Sequence, residues 1–136
     1  VTEVTFLGDR VTKDGIQPDP QLVQSVLEMP APRTKKGIQR MMGVVTYFGK
    51  YLPRLSDKTE KLRELLKDVS LFEWTQAHEK EWQDIKASLT AAPVLAFFDP
   101  SLATKVSTDA SRYGLGTALF QQHGNDWRPV AYASRV

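Results

Sequence analysis

The 136-residue sequence has no cysteine, so it can build neither a disulfide framework nor a thiolate metal site, and a reducing compartment is its natural setting. Its two histidines, His78 and His123, fall in a helical stretch and a turn, and a metal pair between them would lack a third ligand nearby. No apolar run approaches the ~20 residues of a membrane span, and the N-terminus lacks the basic-then-apolar layout of a signal peptide, so no membrane partner is expected. Internal repeats and low-complexity tracts are also missing. What remains is a globular composition, 41% hydrophobic and 25% charged, with length for one ordinary domain or for two small units that each lean on a neighbour. The chain opens in what reads as mid-strand and stops in what reads as mid-fold, so both ends look like cut points.

The overall charge of +2 hides a segregation. Between Arg33 and Asp68 ten basic residues stand against four acidic ones, a local +6, which leaves −4 for the rest. A basic patch on an otherwise mildly acidic chain points to a polyanion track.

Along the chain, Val4 to Gly8 and Arg10 to Thr12 read as a short hairpin around Gly8-Asp9, with Asp14-Gly15 as a second turn signal. Pro18-Asp19-Pro20 opens a helix over Gln21 to Met29, with Leu22, Val23, Val26 and Leu27 as its apolar stripe. After Pro30-Ala31-Pro32, Thr34 caps a helix running to about Leu52, before Pro53. Ser56 caps a third, with Leu62, Leu65, Leu66 and Val69 inward and the pairs Glu60/Arg63 and Glu64/Lys67 outside. Thr75 caps a fourth, where Trp82, Ile85 and Leu89 recur at helical spacing up to Ala91-Ala92-Pro93. Three strands follow, Ala103 to Thr108, Gly114 to Gln121 and Trp127 to Ser134, with turns at Ala110 to Tyr113 and His123 to Asp126. Trp74, Trp82 and Trp127 each neighbour apolar periodicity and read as core anchors.

The second helix carries the binding argument. At 100° per residue Lys36, Arg40, Gly43, Tyr47 and Lys50 fall within about 40° of one line, while Ile38, Met41, Met42, Val45, Phe48 and Leu52 centre opposite. A glycine inside a helix costs about 1 kcal/mol relative to alanine. Close approach of a sugar-phosphate backbone would account for Gly43, and so would helix packing on a solvated face.

The end of the chain carries a different chemistry. Ser107-Thr108-Asp109-Ala110-Ser111, Gly114-Leu115-Gly116 and Pro129-Val130-Ala131-Tyr132-Ala133-Ser134-Arg135 place one carboxylate at a strand end in a β-meander, where a divalent metal could sit. A metal-dependent nuclease clamps two cations with several carboxylates, so Asp109 by itself is a weak metal site, and without further context it reads as a turn-former. Asp126, in a turn, is a poor substitute for a second ligand.

Val4-Thr5-Phe6-Leu7-Gly8, Asp14-Gly15-Ile16, Met29-Pro30-Ala31-Pro32-Arg33-Thr34, Met42-Gly43, Tyr47-Phe48, Leu65-Leu66-Lys67, Phe72-Glu73-Trp74 and Pro93-Val94-Leu95 occur in an order and spacing that resembles the reverse transcriptases of gypsy-like long-terminal-repeat retrotransposons. The likeness to gammaretroviral enzymes is more distant. The resemblance covers essentially the whole chain. It implies an α+β fold with an N-terminal β-hairpin ending the palm (residues 1–17), a thumb-like bundle of about four helices (18–92) and a three-stranded antiparallel meander from an incomplete ribonuclease-H-like or connection domain (93–136). By the same resemblance Phe6, Leu7 and Gly8 form the primer-grip turn, and Lys36, Arg40 and Tyr47 lie on the thumb helix that tracks template-primer. The resemblance also makes Asp109 the expected first ribonuclease H carboxylate. Lys61 stands where the family usually has proline, and Trp82 where phenylalanine is usual; neither threatens the fold.

The function expected on these grounds is template-primer binding, to an RNA/DNA hybrid or DNA duplex, as a segment of a retroelement reverse transcriptase. The parent would be an RNA-directed DNA polymerase with ribonuclease H, using Mg2+ or Mn2+. With the paired polymerase aspartates and the later ribonuclease H carboxylates outside this sequence, the segment itself is expected to be inactive and without a cofactor. Its partners would include the rest of the polypeptide, and its setting the cytoplasm, virus-like particles or the nucleus. The alternative is a host-captured or trimmed fragment serving as a protein-interaction module. The meander, with Gly116, Ala118 and Phe120 on one face and Leu115, Thr117 and Leu119 on the other, is expected to pack on the fourth helix around Trp82, on a second copy of the chain, or on a partner.

Overall fold

A computed structural model describes residues 3–67 and 71–135; Val69, expected to point inward, lies outside the described residues. Two three-stranded antiparallel sheets flank a group of helices, an α+β architecture. The first sheet contains β1 (Val4–Phe6), β2 (Asp9–Thr12) and β3 (Gly15–Pro18). The expected hairpin is present, with Phe6 opposite Asp9. The Asp14-Gly15 turn then returns the chain as a third strand, too short and polar to announce itself by alternation.

Helix α1 (Pro20–Leu27) starts on Asp19, whose side chain accepts from the Gln21 amide at 3.0 Å. Helix α2 (Lys35–Tyr47) starts on Thr34, whose hydroxyl accepts from Gly37 N at 3.0 Å. It ends five residues before Leu52, because the chain tightens into a 3-10 turn over Gly49–Tyr51 ahead of Pro53. Ile38, Met41, Val45, Phe48 and Leu52 are buried, and Met42 is half-buried. The apolar side of the helical wheel is therefore the packed side. In α1 only Val26 is fully buried, and Leu22 stays 38% exposed.

The single helix expected after Ser56 is two short ones, α3 (Leu55–Lys58) and α4 (Glu60–Glu64). Thr59 breaks the run: it leaves helical geometry, and its hydroxyl donates back to the Leu55 carbonyl at 3.0 Å, the side-chain competition that unsettles helices. Ser56 is not the cap. That place falls to Arg54 in a left-handed conformation (φ 57°), while Ser56 is buried inside the turn. Arg63 also turns inward, donating to Ser56 O at 2.6 Å and Thr59 Oγ1 at 3.1 Å, and Glu60 pairs with Lys61 instead.

Helix α5 (Gln76–Thr90) opens with a capping box in which the Thr75 amide donates to His78 Nδ1 at 2.9 Å. Trp82, Ile85 and Leu89 fill the core alongside Leu62 and Leu65 of the preceding segment. Each such side chain contributes roughly 1.5–3 kcal/mol on burial. Lys86 donates to the carbonyls of Leu27 and Met29, both at 3.1 Å, tying α5 to the end of α1. Glu81, also on α5, accepts from the amides of Lys61 and Leu62 at 3.0 and 2.7 Å and so caps α4 from outside.

The second sheet is β4 (Thr104–Ser111), β5 (Gly114–His123) and β6 (Asp126–Arg135), with a bulge at Leu119/Phe120. Its Asp109-Gly116-Ser134 row faces the helices. The sheet packs on α3 and the 3-10 turn, rather than on α5 around Trp82, because a strip of small residues lets the two backbones approach. Gly114 (φ 153°) sits where a Cβ would come within 2.7 Å of Ser56, and Ser56 N donates to Ser134 Oγ at 2.9 Å. Val106 and Leu115, on the opposite face, stay 61% and 56% exposed. Trp127 is 39% exposed, with Lys105 Nζ 4.5 Å from its ring centroid, and so is no core anchor.

Gly114→Ala should destabilise the chain by about 1–3 kcal/mol, through overpacking and a disfavoured φ; denaturation midpoints check this, and an unchanged midpoint would show that the joint has slack. Glu81→Ala should cost about 1–3 kcal/mol by stranding two amides. Burial raises the Glu81 carboxyl above its ordinary value, against the lowering effect of those two amides. A raised acid is protonated more readily in the folded chain, so its stabilisation is full below the unfolded value and declines as pH rises through the folded one. The stability of the parent relative to Glu81→Gln should therefore fall as pH rises above the ordinary glutamate value of 4.5; urea curves whose separation does not change with pH would contradict it.

Candidate nucleic-acid interface

Because α2 buries Ile38, Met41 and Val45, its 3.6-residue period turns Lys36, Arg40, Gly43 and Tyr47 to solvent, and all four are exposed. A Cβ placed on Gly43 would meet nothing within 4 Å, which rules out the packing explanation for this glycine. It lies instead in the floor of an open groove of about 560 Å³ between α1 and α2, lined by Leu22, Val26, Met29 and Phe48 with Arg40 and Tyr47 alongside. A bare helix surface edged by a guanidinium and a phenol gives a ribose-phosphate chain both close approach and charge.

The β1–β2 turn adjoins this surface. Leu7 (φ 51°) and Gly8 (φ 84°) are both left-handed, and Phe6 and Leu7 project outward, 65% and 74% exposed. Tyr47 crosses from α2 to the turn, its hydroxyl donating to the Leu7 carbonyl. A Cβ on Gly8 would run into the Tyr47 ring, so glycine is required there for space as well as for φ. Lys50 does not continue the exposed stripe. The 3-10 turn directs its ammonium to Asp9 Oδ2 at 2.5 Å, and the Tyr51 hydroxyl donates to Asp9 Oδ1 at 2.7 Å. Burial, with help from Asp9, pushes the Tyr51 hydroxyl far above the usual tyrosine range, so it remains a donor at any ordinary pH.

Asp109 lies apart from this surface, on β4, 61% exposed, with Arg54 Nη2 3.4 Å from its carboxylate. Arg54 also holds Asp57 at 3.1 Å, and Asp57 accepts from the Ser111 hydroxyl. That hydroxyl, followed by Arg54, draws the Asp57 carboxyl below its usual value. Among the described residues no three His, Asp or Glu side chains gather into a possible metal cluster. Asp109 is paired with the exposed Arg54 guanidinium instead, so the residues present do not by themselves fit a divalent ion. Asp9, Arg54 and Asp57 escaped sequence reasoning: each sits at a turn or helix end where an acidic or basic residue is unremarkable, and their partners are distant in sequence.

Residues 74–136 match the model of the RNase H-like domain found in reverse transcriptase, a stretch that takes in α5 as well as the second sheet. Two Schizosaccharomyces pombe proteins, the Transposon Tf2-3 and Tf2-4 polyproteins, are each 33% identical over 134 residues. Those residues are 98% of this chain, which spans about 10% of the length of these curated relatives. Among solved structures, foamy viral protease-reverse transcriptase in complex with dsDNA superposes with a TM-score of 0.84 at 26% identity, covering 100% of this chain and 29% of that one. The same enzyme in complex with an RNA/DNA hybrid gives 0.81 at 26%, covering 99% and 18%. Residues 74–136 are thus similar to the RNase H-like domain found in reverse transcriptase, and nearly the whole length of the chain is similar to part of the retrotransposon polyproteins and of the foamy viral protease-reverse transcriptase.

Proposed function

We propose that this chain is a template-primer-binding segment of a retroelement reverse transcriptase, with α2 and the β1–β2 turn as its contact surface. The observation that carries the reading is the continuity of that surface. Lys36, Arg40 and open Gly43 lead to Tyr47, which is bonded to the turn presenting Phe6 and Leu7. The similar foamy viral enzymes, in complex with dsDNA and with RNA/DNA hybrid, support it. Lys36 and Arg40 would neutralise phosphates, Gly43 would admit the sugar edge, and the turn would meet the primer end. Affinity would then be largely independent of base sequence. The parent protein would be an RNA-directed DNA polymerase with ribonuclease H, in which Asp109 is the first ribonuclease H carboxylate.

Lys36→Ala with Arg40→Ala should weaken binding to a DNA duplex or hybrid while leaving the helical circular dichroism intact, since both side chains point away from the core. Loss of two phosphate contacts should flatten the log-log salt dependence by roughly 2. A double mutant whose titrations overlay the parent's at every salt concentration would reduce the stripe to a solvated surface. Salt-insensitive self-association through the Val106 and Leu115 face would favour the protein-interaction alternative.

A lone carboxylate bound to Arg54 is a poor ligand set, and a two-metal phosphodiester cleavage needs several carboxylates. The 136-residue chain should therefore cleave no RNA/DNA hybrid with Mg2+ or Mn2+ added. Hybrid cleavage that co-purifies with the chain and vanishes in Asp109→Asn would overturn this.

A further inference from the structure

The β1–β2 turn is held from three directions, although two consecutive left-handed residues and two exposed apolar side chains would make it mobile if it stood alone. The Asp19 amide, at the start of α1, donates to the Gly8 carbonyl at 2.9 Å. Tyr47 of α2 donates to the Leu7 carbonyl. Asp9 accepts from both Lys50 and Tyr51 on the 3-10 turn. Only the last of these is a charged anchor made by a side chain of the sheet itself. Asp9 lies on the central strand, opposite Phe6 on one side and Pro18 on the other. Its carboxylate is 20% exposed, and Lys50 and Tyr51, some forty positions away, use both of its oxygens. Tyr51 is 1% exposed and belongs to the core, so the strand is tied to the most rigid part of the molecule.

We infer that Asp9 is a positioning residue: it locks the Phe6-Leu7-Gly8 turn to the end of α2, so that the turn and the Lys36/Arg40 stripe form one rigid contact surface. Asp9 itself touches no nucleic acid. It fixes the distance between the part of the surface that follows the duplex body and the part that meets a recessed 3′ end. The inference rests on the duplex-binding reading above and deepens it, because a charge-only track would have no need of a fixed turn. The geometry has a second consequence. Lys50 is held as a structural cation and contributes no phosphate contact, so the duplex-body interaction depends on Lys36 and Arg40.

The test uses the 136-residue chain and a DNA primer-template with 2-aminopurine either at the recessed 3′ terminus or inside the duplex. Anisotropy reports total binding, and 2-aminopurine fluorescence reports contact at the labelled position. Asp9→Asn keeps the size of the side chain and an acceptor for Tyr51 but removes the charge facing Lys50; Asp9→Ala removes both anchors. In a folded Asp9→Asn chain, exchange of the Asp19 amide, which donates to the Gly8 carbonyl, should speed up. Its 3′-terminal fluorescence response should fall about threefold to tenfold, while the anisotropy affinity stays within about twofold of the parent. Asp9→Ala should show the same pattern more strongly, and Lys36→Ala should lower both signals together. Terminal fluorescence and Asp19 amide exchange that match the parent in both folded Asp9 variants would overturn the inference. An unchanged terminal response in the parent, despite a clear anisotropy signal, would also overturn it while sparing the duplex reading. Absence of any anisotropy signal in the parent would remove both.

Discussion

A thirteen-residue helix is marginal in water and needs one face buried to persist. For α2 that face consists of Ile38, Met41 and Val45, continued by Phe48. Once these four are committed to the core, helical geometry leaves no freedom over where Lys36, Arg40, Gly43 and Tyr47 point. The exposed cationic stripe is thus a consequence of the core, and any change that rotates α2 to repack Met41 or Val45 would rotate the stripe with it. Along the outer edge of the two helices α1 contributes only Val26 to the core, and Leu22, 38% exposed, lines the open groove beside Gly43.

The two sheets are placed by a shorter element. Leu95 is 1% exposed and exchanges both backbone hydrogen bonds with Ile16 of β3, at 2.8 and 2.7 Å, and the next residue, Ala96, donates to Pro129 of β6 at 2.8 Å. Two adjacent residues therefore bond to both sheets, while the Leu95 side chain joins the helical core. Sheet, core and sheet are linked through a segment whose sequence, Pro93-Val94-Leu95, carries no periodic signal of its own. Farther on, Gln121 secures the same segment: its fully buried amide accepts from Asp99 N at 2.9 Å and donates to Asp99 O at 2.8 Å.

Much of this was legible in the sequence because it is local. The Thr34 and Thr75 caps, the faces of α2 and α5, and all three strands of the second sheet are set by propensity and period within windows of about fifteen residues. What was not legible depends on contacts between distant residues. Ser56 looks like a cap and is a buried joint, because Ser134 lies opposite it. Trp127 has the neighbours of a core residue, and the bulge at Leu119/Phe120 puts it in line with Phe120, yet at the far end of the sheet it meets Lys105 and stays 39% exposed. Lys50 fits the cationic stripe on a helical wheel and leaves it because the helix has already given way to a 3-10 turn. At the candidate site the stripe itself could be read from the sequence, but the residue that aligns it with the turn, Asp9, could not.

Asp109 shows how one side chain can satisfy two incompatible descriptions. The role proposed for it, the first of a ribonuclease H carboxylate set, asks for a carboxylate left free for cations. Its surroundings in this chain are those of a joint: Arg54, in a left-handed conformation, reaches both Asp57 and Asp109, and the Ser111 hydroxyl closes the group onto Asp57. An exposed ion pair is worth at most about 1 kcal/mol, so Arg54 does not hold Asp109 tightly. Further carboxylates converging on a divalent ion would outbid one guanidinium at 3.4 Å. In this chain one exposed guanidinium therefore serves both Asp57 and Asp109, at 3.1 and 3.4 Å.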